Sequence, residues 1–263
     1  MRRITDPSEE VAGGKARALL LLHELFDVPP FVVVGMQTAE IDGLSDVQVL
    51  GYTDSAGVAA PFAVRSTFAR EDGTAHAYPG VFQTCLNVHS DHVAAAVSSV
   101  VRSAHTDIVD AYVLGAGAPA QGEDEEVAVL IQSMCDADAA GVCFTGDSKG
   151  NTSECRVEAV RGLGEALVSG RVEPDAYRFE RATGAVIEYL PGRQTHAITS
   201  RGEELLTLSE SVRRKISSST ARKVFDLALE VESALDQAPV DIEWCLVGDR
   251  LYLLQARPLT TRE

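Results

Sequence analysis

The stretch that decides the fold is Val240-Asp-Ile-Glu-Trp-Cys-Leu246, the turn Gly248-Asp249, and Leu251-Tyr-Leu-Leu-Gln-Ala-Arg257. Both arms are short apolar runs bounded by turn residues, which reads as a pair of strands joined in a hairpin. Residues two apart on a strand share a face, so Gln255 and Arg257 point the same way, and the hairpin brings Glu243 alongside them. Oxygen ligands from a glutamate and a glutamine suit Mg²⁺, and an arginine supplies countercharge to phosphate. The competing reading is an exposed polar face of an edge hairpin. It is the weaker one, because these residues sit in strands that otherwise read as buried.

Working back from the hairpin, a long helix is expected over about Ser218 to Leu235. Tyr177 to Glu180 and Ala185 to Tyr189 flank Thr183-Gly184 as a second hairpin. Gly141-Val-Cys-Phe-Thr145 and Arg156-Val-Glu-Ala-Val160 are further strands, and Val127-Ala-Val-Leu-Ile-Gln132 opens this half. In the other half, the helical run Lys15 to Phe26 ends before Pro29-Pro30, and Phe31-Val-Val-Val34 is a buried strand. Phe62-Ala-Val-Arg-Ser66 and Phe82-Gln-Thr-Cys-Leu-Asn-Val88 are strands around the polar loop Thr67 to Pro79, and a helix is expected from about Asp91 to Leu114. Clustered strands joined by short turns favour antiparallel pairing and an α+β fold over a doubly wound sheet. The small, flexible run Gly115-Ala-Gly-Ala-Pro-Ala-Gln-Gly ends in four acids, Glu123-Asp-Glu-Glu126, and reads as a solvated connection. The expected organisation is therefore an N-terminal lobe over 1–115, an acidic connection over 116–126 and a C-terminal lobe over 127–263.

The 263 residues carry 23 Lys+Arg against 39 Asp+Glu, a formal charge of −16, which argues against nucleic acid or an anionic membrane as partner. A hydrophobic content of 45% gives enough material for a real core. The five cysteines are scattered without a CxxC pair and read as reduced thiols. The start lacks an apolar leader and no apolar run is long enough to span a bilayer, so a cytoplasmic location is expected.

Gly13-Gly14-Lys15 opens a helix, an arrangement that presents backbone N–H groups and the helix dipole to an anion. It lacks the longer Walker pattern and reads equally well as a plain helix start with a solvated lysine. Arg65 ends an apolar strand just before a loop bearing Thr67, Arg70, Glu71, Asp72, Thr74 and His76. An arginine fork there can clamp phosphate beneath a covering loop, or it can tether a surface loop to an acid.

Taken together, these segments resemble the ATP-binding (ATP-grasp) domain of the phosphoenolpyruvate synthase, pyruvate phosphate dikinase and rifampin phosphotransferase family. The matching stretches are Gly13-Gly14-Lys15, Pro29-Pro30-Phe-Val-Val, Ala63-Val-Arg-Ser66 with Glu71-Asp72, Gly80 with Thr84 and Leu86-Asn-Val88, and Val129-Leu-Ile-Gln132. They continue through Asp136-Ala-Asp-Ala-Ala-Gly141, Gly162-Leu-Gly-Glu-Ala-Leu-Val-Ser-Gly170 with Pro174-Asp175, and Asp241-Ile-Glu-Trp244 with Leu251 to Pro258, in family order from near the first residue to near the last.

The resemblance implies a two-lobed ATP-grasp fold with mostly antiparallel sheets and the nucleotide between the lobes. It implies ATP and Mg²⁺ as cofactors. Lys15, Arg65 and Arg257 match the phosphate-holding cations, Gly80 and Thr84 the phosphate-covering segment, and Gln132 a nucleotide-binding glutamine near adenine and ribose. Glu243 and Gln255 match the metal ligands. Two departures stand out: the loop before Gly80 is bulkier than the family's Ser/Thr/Ala-rich version, and the chain stops six residues after Arg257, where family members continue into a histidine domain.

The expected function is an ATP- and Mg²⁺-dependent phosphotransferase, or kinase, that moves a phosphoryl group to a small-molecule hydroxyl on a natural product or nucleoside-like metabolite. The alternative is the ATP-binding subunit of a split dikinase whose histidine domain is a separate protein. A degenerate regulatory nucleotide-binding module ranks last, and an acyl-phosphate-forming ligase remains open because fold does not fix the acceptor. Asp72, Glu71 and His76 are all candidates for the general base.

Overall fold

The computed structural model describes residues 1–67, 84–103, 126–147, 151–237 and 239–259. The chain forms two compact units: Met1–Leu20 with Pro29–Met134, and Leu21–Val28 with Cys135–Glu263. Every strand pair in the named sheets is antiparallel, and helices lie beside the sheets, giving the expected α+β class. No helix among the described residues is long and apolar enough to cross a membrane.

The first unit is built on a five-stranded sheet in the order β1-β2-β5-β3-β4, with β1 Arg2–Ile4, β2 Phe31–Gln37, β3 Phe62–Ser66, β4 Thr84–Val88 and β5 Glu126–Ser133. Helices α2 (Asp46–Ser55) and α3 (Val93–Ser103) supply Val49, Val93, Val97, Val100 and Val101 to a core shared with Val32, Val34, Phe62, Val64, Val129 and Ile131. These strand residues alternate along β2, β3 and β5, so the core occupies one face of the sheet. Arg65, Ala63, Leu130 and Gln132 fall on the other face.

The expected lobe boundary is corrected here. Val127–Gln132 does not open the second half; its strand β5 is central in the first sheet, paired with β2 on one side and β3 on the other. A central strand covered on both faces is a continuous apolar run, and six consecutive residues of β5 are buried. Such a run carries no mark of which sheet it joins. The division falls after Met134 instead. Residues 116–125 of the acidic connection lie outside the described residues, as do 104–114 of the helix expected to reach Leu114.

The second unit has a six-stranded sheet, β13-β12-β6-β7-β8-β9. Its strands are β6 Ala139–Phe144, β7 Glu154–Arg161, β8 Asp175–Glu180, β9 Val186–Leu190, β12 Val240–Val247 and β13 Arg250–Pro258. A separate hairpin, β10 His196–Thr199 with β11 Gly202–Leu205, was not anticipated. Short helices α4 (Glu165–Val168) and α5 (Leu208–Ser211) precede the long α6, Ser218–Leu235, whose limits are those read from sequence.

Helix α6 buries Ala221, Val224, Phe225, Ala228 and Val231, spaced at three and four residues, and packs on β6, β7 and β12. Ser217 caps its start by accepting the Thr220 N–H at 3.0 Å. Its one buried acid, Glu232, accepts hydrogen bonds from the Thr145 hydroxyl and the Arg181 guanidinium, so the charge is paired where it is desolvated.

Gly141 of β6 is required by this packing. A Cβ there would stand 1.8 Å from the Glu158 carbonyl oxygen and 2.9 Å from the ring of Trp244, the cross-strand partner. The outer edge of β13 is covered by the 21–28 segment, whose Asp27 carbonyl accepts the Leu253 N–H at 2.9 Å. The Asp27 carboxylate takes the Arg250 guanidinium at 2.6 and 3.1 Å.

Candidate functional site

In the first unit, Arg65 stands directly opposite Thr84 of β4, while Gln132 of β5 stands opposite Ala63. Ala63 and Arg65 are two apart on β3, so Arg65, Thr84 and Gln132 share the face turned away from α2 and α3. Arg65 is half-buried, Thr84 exposed and Gln132 buried. The Gln132 Nε2 is buried with no hydrogen-bond partner among the described residues.

Lys15 reaches the same end of this unit through Thr67, just beyond β3. The Thr67 hydroxyl donates to the Ala12 carbonyl and accepts the Ala16 N–H at 3.0 Å. That clamp, made by a residue two along the chain from Arg65, fixes the first turn of α1 (Gly13–Leu22), which carries Gly13, Gly14 and Lys15. Thr67 was noted in sequence only as part of a polar loop. Its role in docking α1 depends on a contact between residues far apart in the chain. Gly80, and the base candidates Glu71, Asp72 and His76, lie outside the described residues.

In the second unit the hairpin brings Glu243 alongside, as expected: Glu243 is directly opposite Gln255, and Asp241 opposite Arg257. A bulge follows between Glu243 and Trp244, which gives β13 an extra residue at Leu254. Ile242 and Trp244 alternate onto the face covered by α6, leaving Asp241, Glu243, Gln255 and Arg257 together on the opposite face. Gln255 is 5% exposed and Glu243 half-buried.

Arg257 is held by Asp241, whose two carboxylate oxygens accept from its Nε at 3.0 and 2.8 Å. Asp241 was not singled out in sequence as a site residue, although the antiparallel register that pairs Glu243 with Gln255 necessarily pairs 241 with 257. The pair fixes the plane of the guanidinium and offsets its charge on a sheet face where Asp241 is 9% exposed.

Mg²⁺ is commonly held by one or two protein oxygens, with phosphate oxygens and water completing its octahedron. The Glu243 carboxylate and the Gln255 carboxamide, opposed on adjacent strands, match that demand. Among the described residues no cluster of three or more His, Cys, Asp or Glu is arranged to hold a metal.

Residues 47–263 match the family described as pyruvate phosphate dikinase, AMP/ATP-binding domain. The chain is 32% identical to the prodigiosin synthesizing transferase PigC of Serratia marcescens, with 95% of this chain and 32% of that protein covered. It is 31% identical to a probable phosphoenolpyruvate synthase of Archaeoglobus fulgidus, over 76% of this chain and 27% of the relative. With the rifampicin phosphotransferase of Bacillus subtilis the identity is 32%, over 84% of this chain and 26% of the relative. The chain thus spans about a third or less of these relatives' lengths. Among solved structures, it aligns to D-alanine-D-alanine ligase from Helicobacter pylori with a TM-score of 0.45 and 11% identity, covering 95% of this chain and 54% of that one.

Proposed function

Since the chain belongs to the family of pyruvate phosphate dikinase AMP/ATP-binding domains, we propose that it binds Mg·ATP and transfers a phosphoryl group to the hydroxyl of a small molecule. The observation that carries this reading is the register of β12 on β13, which sets Glu243 against Gln255 and orients Arg257 through Asp241. Phosphoryl transfer demands positioning and charge neutralisation more than covalent chemistry from the protein.

In this reading Lys15 and Arg65 bind phosphate oxygens, with Thr84 and Gly80 contributing a hydroxyl and a backbone contact, and Arg257 adds a third cation. Gln132 offers its buried amide to the adenine or ribose. Glu243 and Gln255 hold Mg²⁺, which when bound neutralises phosphate charge. The net charge of −16 is no obstacle, because this reading assigns Lys15, Arg65 and Arg257 to the phosphates while residues 121–180 hold 13 acidic against 5 basic residues.

The names of PigC and the rifampicin phosphotransferase favour a natural product as acceptor. The fraction of each relative that the chain spans favours a second reading, in which it supplies the nucleotide half-reaction and passes the phosphoryl group to a separate histidine-bearing protein. Incubation of the pure chain with Mg·ATP and a panel of hydroxylated metabolites, with nucleotides separated by chromatography, tests both. ADP formed with an acceptor present supports direct transfer. AMP formed only with an added histidine-domain protein supports the second reading. ATP left intact in every combination refutes the proposal.

A further inference from the structure

The backbone that leads into Asp241 is held by one residue from the neighbouring strand. Thr145 directly follows β6 and is fully buried. Its N–H donates to the Val240 carbonyl at 2.9 Å, and its hydroxyl oxygen accepts the Val240 N–H at 2.8 Å. The hydroxyl proton goes to the Glu232 carboxylate, and the Thr145 carbonyl accepts from the Arg181 guanidinium at 2.9 Å.

Val240 is the first residue of β12 and Asp241 the second. Peptide groups are planar, so the chain at Val240 turns only about two soft dihedrals. Thr145 holds the N–H on one side of them and the carbonyl on the other, which pins both peptide planes. The second plane contains the Asp241 nitrogen. Its setting governs the direction in which the Asp241 carboxylate leaves the sheet, and that carboxylate holds the Arg257 Nε at 3.0 and 2.8 Å.

The hydroxyl is itself oriented. It accepts from Val240 in this geometry only while its own proton points elsewhere, and Glu232 on α6 supplies that acceptor. Arg181, just beyond β8, anchors the Glu232 carboxylate and reaches the Thr145 carbonyl as well. Helix packing does not explain the acid. Ala221, Val224, Phe225, Ala228 and Val231 already seat α6 on the sheet, and an apolar residue at 232 would hold the helix as well or better than a buried ion pair.

We propose that Thr145 is a positioning residue for Arg257, with Glu232 and Arg181 setting its hydroxyl. A network on the α6 face of the sheet thereby orients a phosphate-binding cation on the opposite face. The proposal rests on the Mg·ATP reading above and adds to it residues that touch no ligand.

Calorimetric titration of Mg·ATP into the full chain tests it through a double-mutant cycle. Thr145→Val keeps the shape and removes the hydroxyl, while Arg257→Lys keeps a cation without a guanidinium plane to orient. Alone, Thr145→Val should weaken Mg·ATP roughly fivefold, the worth of one neutral hydrogen bond. In the Arg257→Lys background it should cause no further loss, and Thr145→Ser, which restores the hydroxyl, should bind as wild type does. A purely structural role lowers stability in urea but leaves the two effects on affinity additive. Should Thr145→Val fail to fold, Glu232→Gln takes its place in the cycle with the same expectation, because it keeps the volume while removing the charge that anchors the hydroxyl. A folded Thr145→Val with wild-type affinity overturns the proposal, as does an equal loss in both backgrounds or a Thr145→Ser that stays weak. No binding of Mg·ATP by the wild type overturns the underlying reading and this proposal together.

Discussion

Gln132 gives the sharpest energetic prediction. Its side chain is 2% exposed and its Nε2 is buried without an acceptor among the described residues. A buried donor left unpaired costs about 1–3 kcal/mol. Under the nucleotide-binding reading this cost is carried by the ligand-free chain and relieved when an acceptor on the nucleotide arrives. Gln132→Met keeps the side chain's length and approximate volume while deleting the amide. The ligand-free variant should therefore be more stable than wild type by about 1 kcal/mol or more. Near the melting point, that corresponds to a rise of about 2–4 °C for a chain of this size. The same substitution should weaken Mg·ATP by roughly tenfold, the equivalent of about 1.4 kcal/mol. Urea and thermal melts of the ligand-free proteins read the first effect, and calorimetric titration the second. A Met variant less stable than wild type without ligand, or one that binds Mg·ATP equally well, refutes the reasoning.

Four further outcomes are expected. Asp241→Asn removes the charge that orients Arg257 and should weaken Mg·ATP binding by roughly tenfold or more, since a hydrogen bond to a charged group is worth about 1.5–3 kcal/mol; circular dichroism should stay at wild type. Lys215 and Asp175 form an ion pair with both side chains 1% exposed, and the Asp175 carboxylate also accepts from Gly192 N–H, Lys215 N–H and the Tyr189 hydroxyl. Lys215→Met strands that carboxylate and should cost about 3–5 kcal/mol in urea denaturation. Gly141→Ala forces β6 away from β7 and Trp244, so its cost in the same assay should reach or exceed the upper end of the roughly 1–3 kcal/mol seen for overpacking. Finally, desolvation pushes the Cys155 thiol to about 11 and raises Cys143 well above the ordinary value. Both are protonated at neutral pH, so mass mapping after iodoacetamide should find Cys135 alkylated in the native chain and these two untouched until urea is added.

The parts of the fold legible in sequence were those with local signatures. Helix α6 has a serine cap and a three-four apolar spacing, so both of its ends could be read. The β12–β13 hairpin combines a Gly-Asp turn with two apolar arms and was legible as a hairpin, but simple pairing out from that turn sets Glu243 opposite Leu254; the bulge that puts Gln255 there has no local signature. Strand β5 was visible as a strand but assigned to the wrong sheet, because a run buried on both faces contains no information about its neighbours. The β10–β11 hairpin was missed: β11 is Gly202-Glu-Glu-Leu205, exposed throughout, and lacks the alternation that marks a half-buried strand. The site shows the same division. Glu243, Gln255 and Arg257 declared themselves through period-two spacing, whereas Thr67 and Asp241 act through partners brought to them only by the fold.

The central claim is that the chain binds Mg·ATP, with Lys15 and Arg65 proposed to take phosphate and Glu243 and Gln255 proposed to hold Mg²⁺. Calorimetric titration of ATP into the pure chain, with Mg²⁺ and again with the metal chelated, tests it most directly, alongside Lys15→Ala and Glu243→Gln variants whose folding is checked by circular dichroism. The account predicts saturable one-site binding that requires Mg²⁺ and is lost or severely weakened in both variants. Absence of binding in the wild type contradicts it, as does Mg²⁺-independent binding or wild-type affinity in either folded variant.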